Sequence, residues 1–375
     1  MELHFNKLLF DAYTKFLGAY ILNYMQNSVT DSVIRKEKVS KFEDIHQQKP
    51  YGGGRNISVD ILRLIAAIII VNSHMDRMYP GSLSFLATGG AIGDALFFFI
   101  SGFTLFLKPT RGVYDFPNWY KRRINRVYPT VFAVAIIGCV FFHVHRDIIE
   151  ILFNSGWFVT CIMVYYIFIY FIGSYFKKHI LSIIALLFVL TAIWFSFEYK
   201  TPGFSVYALK TSNICLLFYF IFMLFGAYLG SLNHKPVIRP KYDLSILLLS
   251  LFSYYFLLYL GARLKTPVFQ YFSLFALLAV VYYMYNVFFT HWAQRIYNSK
   301  TAFYIIRFIG GLCLEIYLLQ GFLITDKFNH LFPLNNFLVL IAIIVLSYFT
   351  RCFARFLSQT FKDDDYNWKK IVDIL

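Results

Sequence analysis

The chain has 375 residues, of which 59% are hydrophobic and only 15% charged, a composition too apolar for an ordinary soluble globule. Its formal net charge of +15 would suit nucleic acid, but the cations fall in alternate loops between apolar segments, which points to a membrane instead. The five cysteines sit in or beside those segments at no metal or redox spacing, so neither a disulfide framework nor a cysteine metal site is expected.

Residues 1–54 are expected to form a cytoplasmic N-terminal extension. Residues 1–25 lack the basic, apolar and small-residue order of a secretory signal. Leu8–Leu22 is apolar but interrupted by Asp11 and Lys15, which suits an amphipathic helix on the membrane surface or a helix packed on the rest of the chain. Gly52–Gly54 reads as a hinge. Ten apolar segments of membrane-spanning length follow, at about 57–74, 87–107, 127–143, 152–175, 179–197, 213–231, 243–262, 268–290, 302–324 and 332–350. The expected fold is an all-α polytopic bundle, a ten-helix membrane domain over residues 55–357 with a short cytoplasmic tail over 358–375. No internal repeat is visible, which weakens a repeat-built transporter.

Charge sets the expected orientation. One set of loops carries the cation-rich runs around Arg35–Arg55, Lys108–Arg126, Lys177–Lys178, Lys235–Lys241, Arg295–Lys300 and Arg351–Lys370. The opposite set holds only Arg77, Arg146, Lys200, Lys210, Arg263, Lys265 and Lys327. The positive-inside rule then puts both termini in the cytoplasm with an even number of spans.

The first span holds Asp60, Arg63 and His74 among Ile, Leu and Val. Ionisable side chains at membrane depth are costly and mark a pathway or a site. Eleven residues bring a helix back to within about 20° of its starting direction and roughly 16 Å further along, so Arg63 and His74 share a face. Asp60 lies on it one turn from Arg63. A structural Asp60–Arg63 ion pair and a helix-end histidine are the plainer alternative.

The second span contains Gly93-Asp-Ala-Leu-Phe-Phe-Phe-Ile-Ser-Gly-Phe103. Asp94 falls at about the depth of His74, where it could orient the imidazole or cap a helix. Ser101 lies deeper. The third span opens with Trp119-Tyr-Lys-Arg-Arg-Ile-Asn-Arg-Val-Tyr-Pro129. Such a cluster either anchors a helix at anionic headgroups or grips a phosphorylated donor. His143, His145 and Glu150 fall short of a zinc pattern, and no metal is expected. Those two histidines, with Trp157 and Tyr79 as aromatic platforms, are candidates to border an acceptor groove.

Taken in order, Arg63 with His74, the Gly93–Phe103 run and Tyr120-Lys-Arg-Arg-x-x-Arg-x-Tyr-Pro129 resemble the membrane acyltransferase-3 family. Gly156-Trp-Phe158, Phe222–Gly230 and Leu314-Glu-Ile-Tyr-Leu-Leu-Gln-Gly321 resemble its later spans, so the likeness covers roughly residues 55–350. Two positions depart from the family pattern. Ala95 stands where many members have Asp, the acid having moved to position 94, and Gln320 stands where many have His.

The resemblance implies a multi-pass enzyme of a bacterial inner or plasma membrane that acylates a sugar hydroxyl. Acetyl from cytoplasmic acetyl-CoA is the expected group, with a surface polysaccharide or its lipid-linked precursor as acceptor. On this reading His74 is the base or a transient acyl carrier, and Arg63 stabilises donor charge, with Asp60 and Asp94 beside them. Arg122, Arg123 and Arg126 would meet the CoA phosphates, with Tyr128 and Ser101 along the donor route. Trp157, Tyr79, His143, His145, Glu315 and Tyr317 would contact the acceptor. The expected partners are thus the acyl-CoA, the glycan and membrane lipid, and no nucleic acid. A transporter or flippase for a glycan precursor also explains buried charge and ten spans, as does a structural partner in glycan assembly, but neither needs a thioester.

Overall fold

The computed structural model describes residues 56–375 except 108–114, 154–155, 199–213, 233–237, 267, 362–364 and 374–375. The expected extension, its hinge and several loop cations (Lys108, Arg111, Lys200, Lys210 and Lys235) lie outside the described residues. Among the described residues all regular structure is helical. In chain order the helices are α1 (Ile57–His74), α2 (Gly90–Phe106), α3 (Phe116–Phe142), α4 (Ile148–Phe153), α5 (Trp157–Tyr175), α6 (Ile180–Glu198), α7 (Ile214–Ser231), α8 (Pro240–Leu264), α9 (Val268–Val287), α10 (His291–Asn298), α11 (Lys300–Gly311), α12 (Cys313–Leu323), α13 (Leu334–Thr360) and α14 (Trp368–Val372).

Each of the ten expected apolar segments holds a helix. Among the described residues, eight are long and apolar enough to cross a bilayer by themselves, and the ninth segment is a pair, α11 and α12, bent by 70°. The departures from expectation have local causes. α3 starts at Phe116 rather than near 127, because Pro117 suits a first turn whose N–H groups lack partners in any case. The Lys121–Arg126 cluster is therefore helical. The bend follows Gly310-Gly311, two poor helix formers, and Leu312 closes the turn with its N–H on the Ile309 carbonyl at 3.0 Å. α13 continues to Thr360, so Arg351 and Arg355 are helix residues and not loop residues.

α1 runs through the middle of the assembly. Its start is fixed by Asn56, whose side chain accepts from the Val59 N–H at 3.3 Å and donates to the Tyr285 hydroxyl of α9 at 3.1 Å. Ser58 donates to the Tyr285 carbonyl at 2.6 Å. On another side α2 lies antiparallel to α1, so close that a Cβ added at Gly93 would run into the Ile70 side chain and stand 3.1 Å from the Ala66 carbonyl. α2 meets α7 closer still. Methyl groups at Gly102, Gly226 or Gly230 would overlap the backbone of the facing helix. This is helix association by small residues, which suits a membrane because lipid supplies little apolar drive between helices. Leu62, Ala66, Leu96, Phe98, Phe99, Met223 and Leu224 are fully buried around this seam.

α5 runs antiparallel to the first half of α3. Phe116 lies 5.4 Å from Phe171, Trp119 lies 6.0 Å from Tyr166, and the Tyr120 hydroxyl donates to the Met163 carbonyl at 3.4 Å. At its other end the Trp157 ring is 6.4 Å from Phe98, halfway along α2. The chain doubles back after α3 to reach that point: the Tyr128 hydroxyl donates to the Leu152 carbonyl of α4 at 2.7 Å. α5 thus begins part-way down the bundle and not at its mouth. Outward stripes on α6, α8 and α13, such as Leu186 and Val189, Leu248 and Phe252, Phe337 and Ile341, are exposed and apolar, as a lipid-facing surface requires.

Candidate active site

The charge in the bundle interior gathers where α1 passes the bend between α11 and α12. Asp60 is buried. It takes Arg63 NH1 on Oδ1 at 3.4 Å and the Tyr297 hydroxyl of α10 on Oδ2 at 2.8 Å. Gly310 lets the bend approach: a Cβ there would stand 3.3 Å from the Asp60 carbonyl and 3.4 Å from Arg63 Cβ. Cys313 Sγ donates to the Arg63 carbonyl at 3.4 Å. Arg63 therefore sits beside the broken helix with its guanidinium partly exposed, while Asp60 is held from two sides.

A second charged group lies three residues beyond the break at Leu312. Glu315 is wholly buried, and both its oxygens are taken. Thr130 of α3 donates to Oε1 at 2.8 Å, and Arg351 of α13 donates to Oε2 at 2.7 Å. The same Arg351 nitrogen also donates to the Gly311 carbonyl at 2.5 Å. The geometry of Glu315 is that of a strut joining three helices. Tyr317, two residues on and so on nearly the opposite face of α12, instead meets Phe158 with ring centroids 4.9 Å apart.

His74 closes the last turn of the unbroken α1 and is exposed. Because no kink interrupts α1, Arg63 and His74 share one face as the spacing requires. The loop beside His74 is tied down by Asn72, which donates to the Leu86 carbonyl at 2.8 Å and accepts from the Tyr79 hydroxyl at 2.6 Å. The Tyr79 ring lies 5.7 Å from Phe332. Gly90 presses the start of α2 onto the same turn, since a Cβ there would meet Ser73 Oγ at 2.6 Å. Asp94 is one turn along α2 from Gly90, and its carboxylate is hydrogen-bonded by Tyr219 of α7.

The arginine cluster lies toward the other end of the bundle, level with Ser101 in the second half of α2 and with Tyr166 halfway along α5. Arg122 and Arg126 are exposed. Arg123 turns inward, its Cζ 4.9 Å from the Trp119 centroid and 5.7 Å from that of Tyr166. The Tyr166 hydroxyl is 3.2 Å from Ser101 Oγ. Ser101 and Arg123 thus meet through Tyr166, which no sequence pattern marked among 29 tyrosines. Tyr128 is tied to the Leu152 carbonyl. His143 and His145 are exposed at the end of α3, with His145 Nδ1 3.4 Å from Cys139 Sγ.

A family model described as an acyltransferase domain matches residues 56–352. The chain belongs to the acyltransferase-3 family. No curated protein and no solved structure matches it. In this acyltransferase-3 member the match begins at the cap of α1 and ends just past Arg351, so α1, the arginine cluster, the helix break and the Glu315–Arg351 pair all fall within it. Tyr166, Tyr219, Thr130 and Arg351 are the residues that reading the sequence missed. Arg351 was hidden because it follows an apolar run and read as a loop cation; the others carry no local pattern. Among the described residues no group of three or more His, Cys, Asp or Glu could hold a metal ion.

Proposed function

We propose that this membrane acyltransferase moves an acetyl group from acetyl-CoA to a hydroxyl of a cell-surface polysaccharide or its lipid-linked precursor, in a bacterial inner or plasma membrane. The observation that carries the reading is the unbroken α1, which presents Arg63 inside the bundle and His74 at its open end on one face, within the family match. Acetyl-CoA enters at the arginine-rich end, where exposed Arg122 and Arg126 grip its phosphates. Arg123, Tyr166 and Ser101 line the way in for the pantetheine arm.

In the reaction His74 takes the proton of the acceptor hydroxyl. The oxygen attacks the thioester carbonyl carbon, and the C=O electrons move onto oxygen; Arg63, roughly 16 Å back along α1, offsets the charge of the bound donor rather than that of this oxyanion. The carbonyl reforms as the C–S bond breaks, and the departing sulfur takes the proton from the imidazolium, giving an acetyl ester and free CoA thiol. Asp60 keeps Arg63 aligned. Tyr79, His143 and His145 border the acceptor side, while Glu315 acts by joining α12 to α3 and α13.

The test is transfer of labelled acetyl from acetyl-CoA to the host's surface glycan by the full chain in proteoliposomes. We expect His74→Ala, at matched membrane levels, to lose about 10²- to 10⁴-fold in rate, the usual worth of a general base. Wild-type rates in His74→Ala would overturn the mechanism. Absence of transfer by the wild type, with glycan precursor crossing the membrane instead, would overturn the enzyme reading.

A further inference from the structure

The N-terminal turn of α5 carries an aromatic cluster that neither the donor route nor His74 uses. The Trp157 ring is 5.4 Å from Tyr219 and tilted from it by only 35°. Phe98 lies beneath, 5.4 Å from Tyr219 and 4.9 Å from Phe158, and Phe158 reaches Tyr317 at 4.9 Å. Phe98 is fully buried, whereas Trp157 is 39% exposed and Tyr219 and Tyr317 are partly so. The cluster therefore has a closed floor and an open side.

Asp94 stands at its edge. Tyr219 hydrogen-bonds the carboxylate, and Tyr317 lies within its electrostatic reach. Its Oδ1 is enclosed with no hydrogen-bond partner among the described residues, although the residue as a whole is partly exposed. A buried acceptor oxygen without a donor is costly and asks for a ligand that brings one. Rotation about the soft terminal torsion of an aspartate is enough to turn that oxygen to the open side.

We infer that this surface holds one pyranose ring of the acceptor glycan, with its apolar C–H face on Trp157 and Tyr219 and its hydroxyls on Asp94. The inference rests on the acyltransferase reading above and adds the acceptor's binding site to it. An ammonium group would want rings arranged around a gap, but Trp157 and Tyr219 already touch each other and form a platform. A pair of contacting rings, tilted by 35°, with an acid at its rim suits a sugar ring that has one apolar face and an edge of O–H donors. Asp94 is then an acceptor-binding residue. The part-way start of α5 acquires a purpose: it brings Trp157 down to the level of Phe98, inside the bundle.

The probe is a set of oligosaccharides released from the host's surface polysaccharide and stripped of esters by mild alkali. Binding to the full chain in nanodiscs is measured for wild type, Trp157→Ala, Trp157→Phe and Asp94→Asn, with acetyl-CoA affinity and melting temperature read on the same samples. We expect Trp157→Ala and Asp94→Asn each to weaken oligosaccharide binding about tenfold, with acetyl-CoA affinity unchanged, and Trp157→Phe to recover most of the loss because it restores a ring. Wild-type oligosaccharide affinity in a folded Asp94→Asn or Trp157→Ala sinks the inference. So does a wild type that binds no oligosaccharide, or variants that lose acetyl-CoA instead. A wild type that binds the oligosaccharide through these residues yet transfers no acetyl group would leave this site standing and remove the enzyme reading.

Discussion

Glu315 has no solvent to fall back on, so its energetics depend on Arg351 and Thr130 alone. Breaking a buried pair by removing one partner leaves an uncompensated charge, at a cost of about 3–5 kcal/mol, whereas replacing both partners by apolar groups is often neutral. Arg351→Met should therefore lower thermal stability in detergent sharply, while the double variant Arg351→Met with Glu315→Leu should recover most of it. A double variant as unstable as the single one would show that the carboxylate itself, not its pairing, holds the break. At the donor end, Arg122→Ala and Arg126→Ala should each raise KM for acetyl-CoA about tenfold, the worth of one charge-assisted contact, and leave kcat nearly unchanged. Arg123→Ala should behave differently, lowering stability as well, since its guanidinium packs on Trp119 and Tyr166. The positions of Asp60, Arg63 and His74 were legible in advance, because charge in an apolar run is rare and helical spacing alone assigns their face. Arg351 and Tyr219 were not legible, because their importance comes from partners 36 and 125 residues away in the chain.

Among the elements, the α2–α7 seam rests on backbone contact. A methyl at Gly226 would overlap the Phe99 carbonyl, and one at Gly102 would overlap that of Met223. Neither neighbour is a flexible side-chain tip that can give way. Gly226→Ala should destabilise the bundle by about 3 kcal/mol or more, read as loss of monodisperse protein on size exclusion or a lowered melting temperature. Gly321→Ala, where no atom lies within 4 Å of the added methyl, is the matched control and should be silent. The apolar lengths along the chain marked where each of the ten segments would lie, since hydropathy reports directly on burial in lipid. They did not mark the break at Leu312, because Lys300–Leu323 reads as one continuous apolar stretch and the bend depends on what α1 and α13 offer at that depth. Nor did they mark where α5 starts, because the length of a span says nothing about the depth at which it begins.

For the whole molecule, the antiparallel run of α1 and α2 separates two ends of opposite character: exposed His74 at one, and exposed Arg122 and Arg126 at the other. A donor and an acceptor that meet in such a molecule arrive from different sides. On the proposed reading, the positive-inside rule puts the arginine end in the cytoplasm. An impermeant thiol reagent applied to intact cells should therefore label Ser84→Cys, placed in a background without native cysteines. It should reach Lys369→Cys only after the cells are opened, and the reverse pattern would invert the proposed route. The C-terminal tail is part of the same body. Arg355 donates to the Lys370 carbonyl at 3.0 Å, Phe356 stacks on Tyr366 at 5.2 Å, and Ile371 is buried.

The bend between α11 and α12 bears on how the chain is made. With 12 and 11 residues, the two halves measure only about 18 and 16 Å, each well short of the roughly 30 Å hydrocarbon core. Glu315, at the first turn of the second half, emerges from the ribosome 36 residues before its partner Arg351. During synthesis this segment is a pair of half-spans with an acid that nothing yet neutralises. Its final seat exists only once α13 has been translated, so the segment that looks like the ninth span to enter the membrane is the last to be completed there.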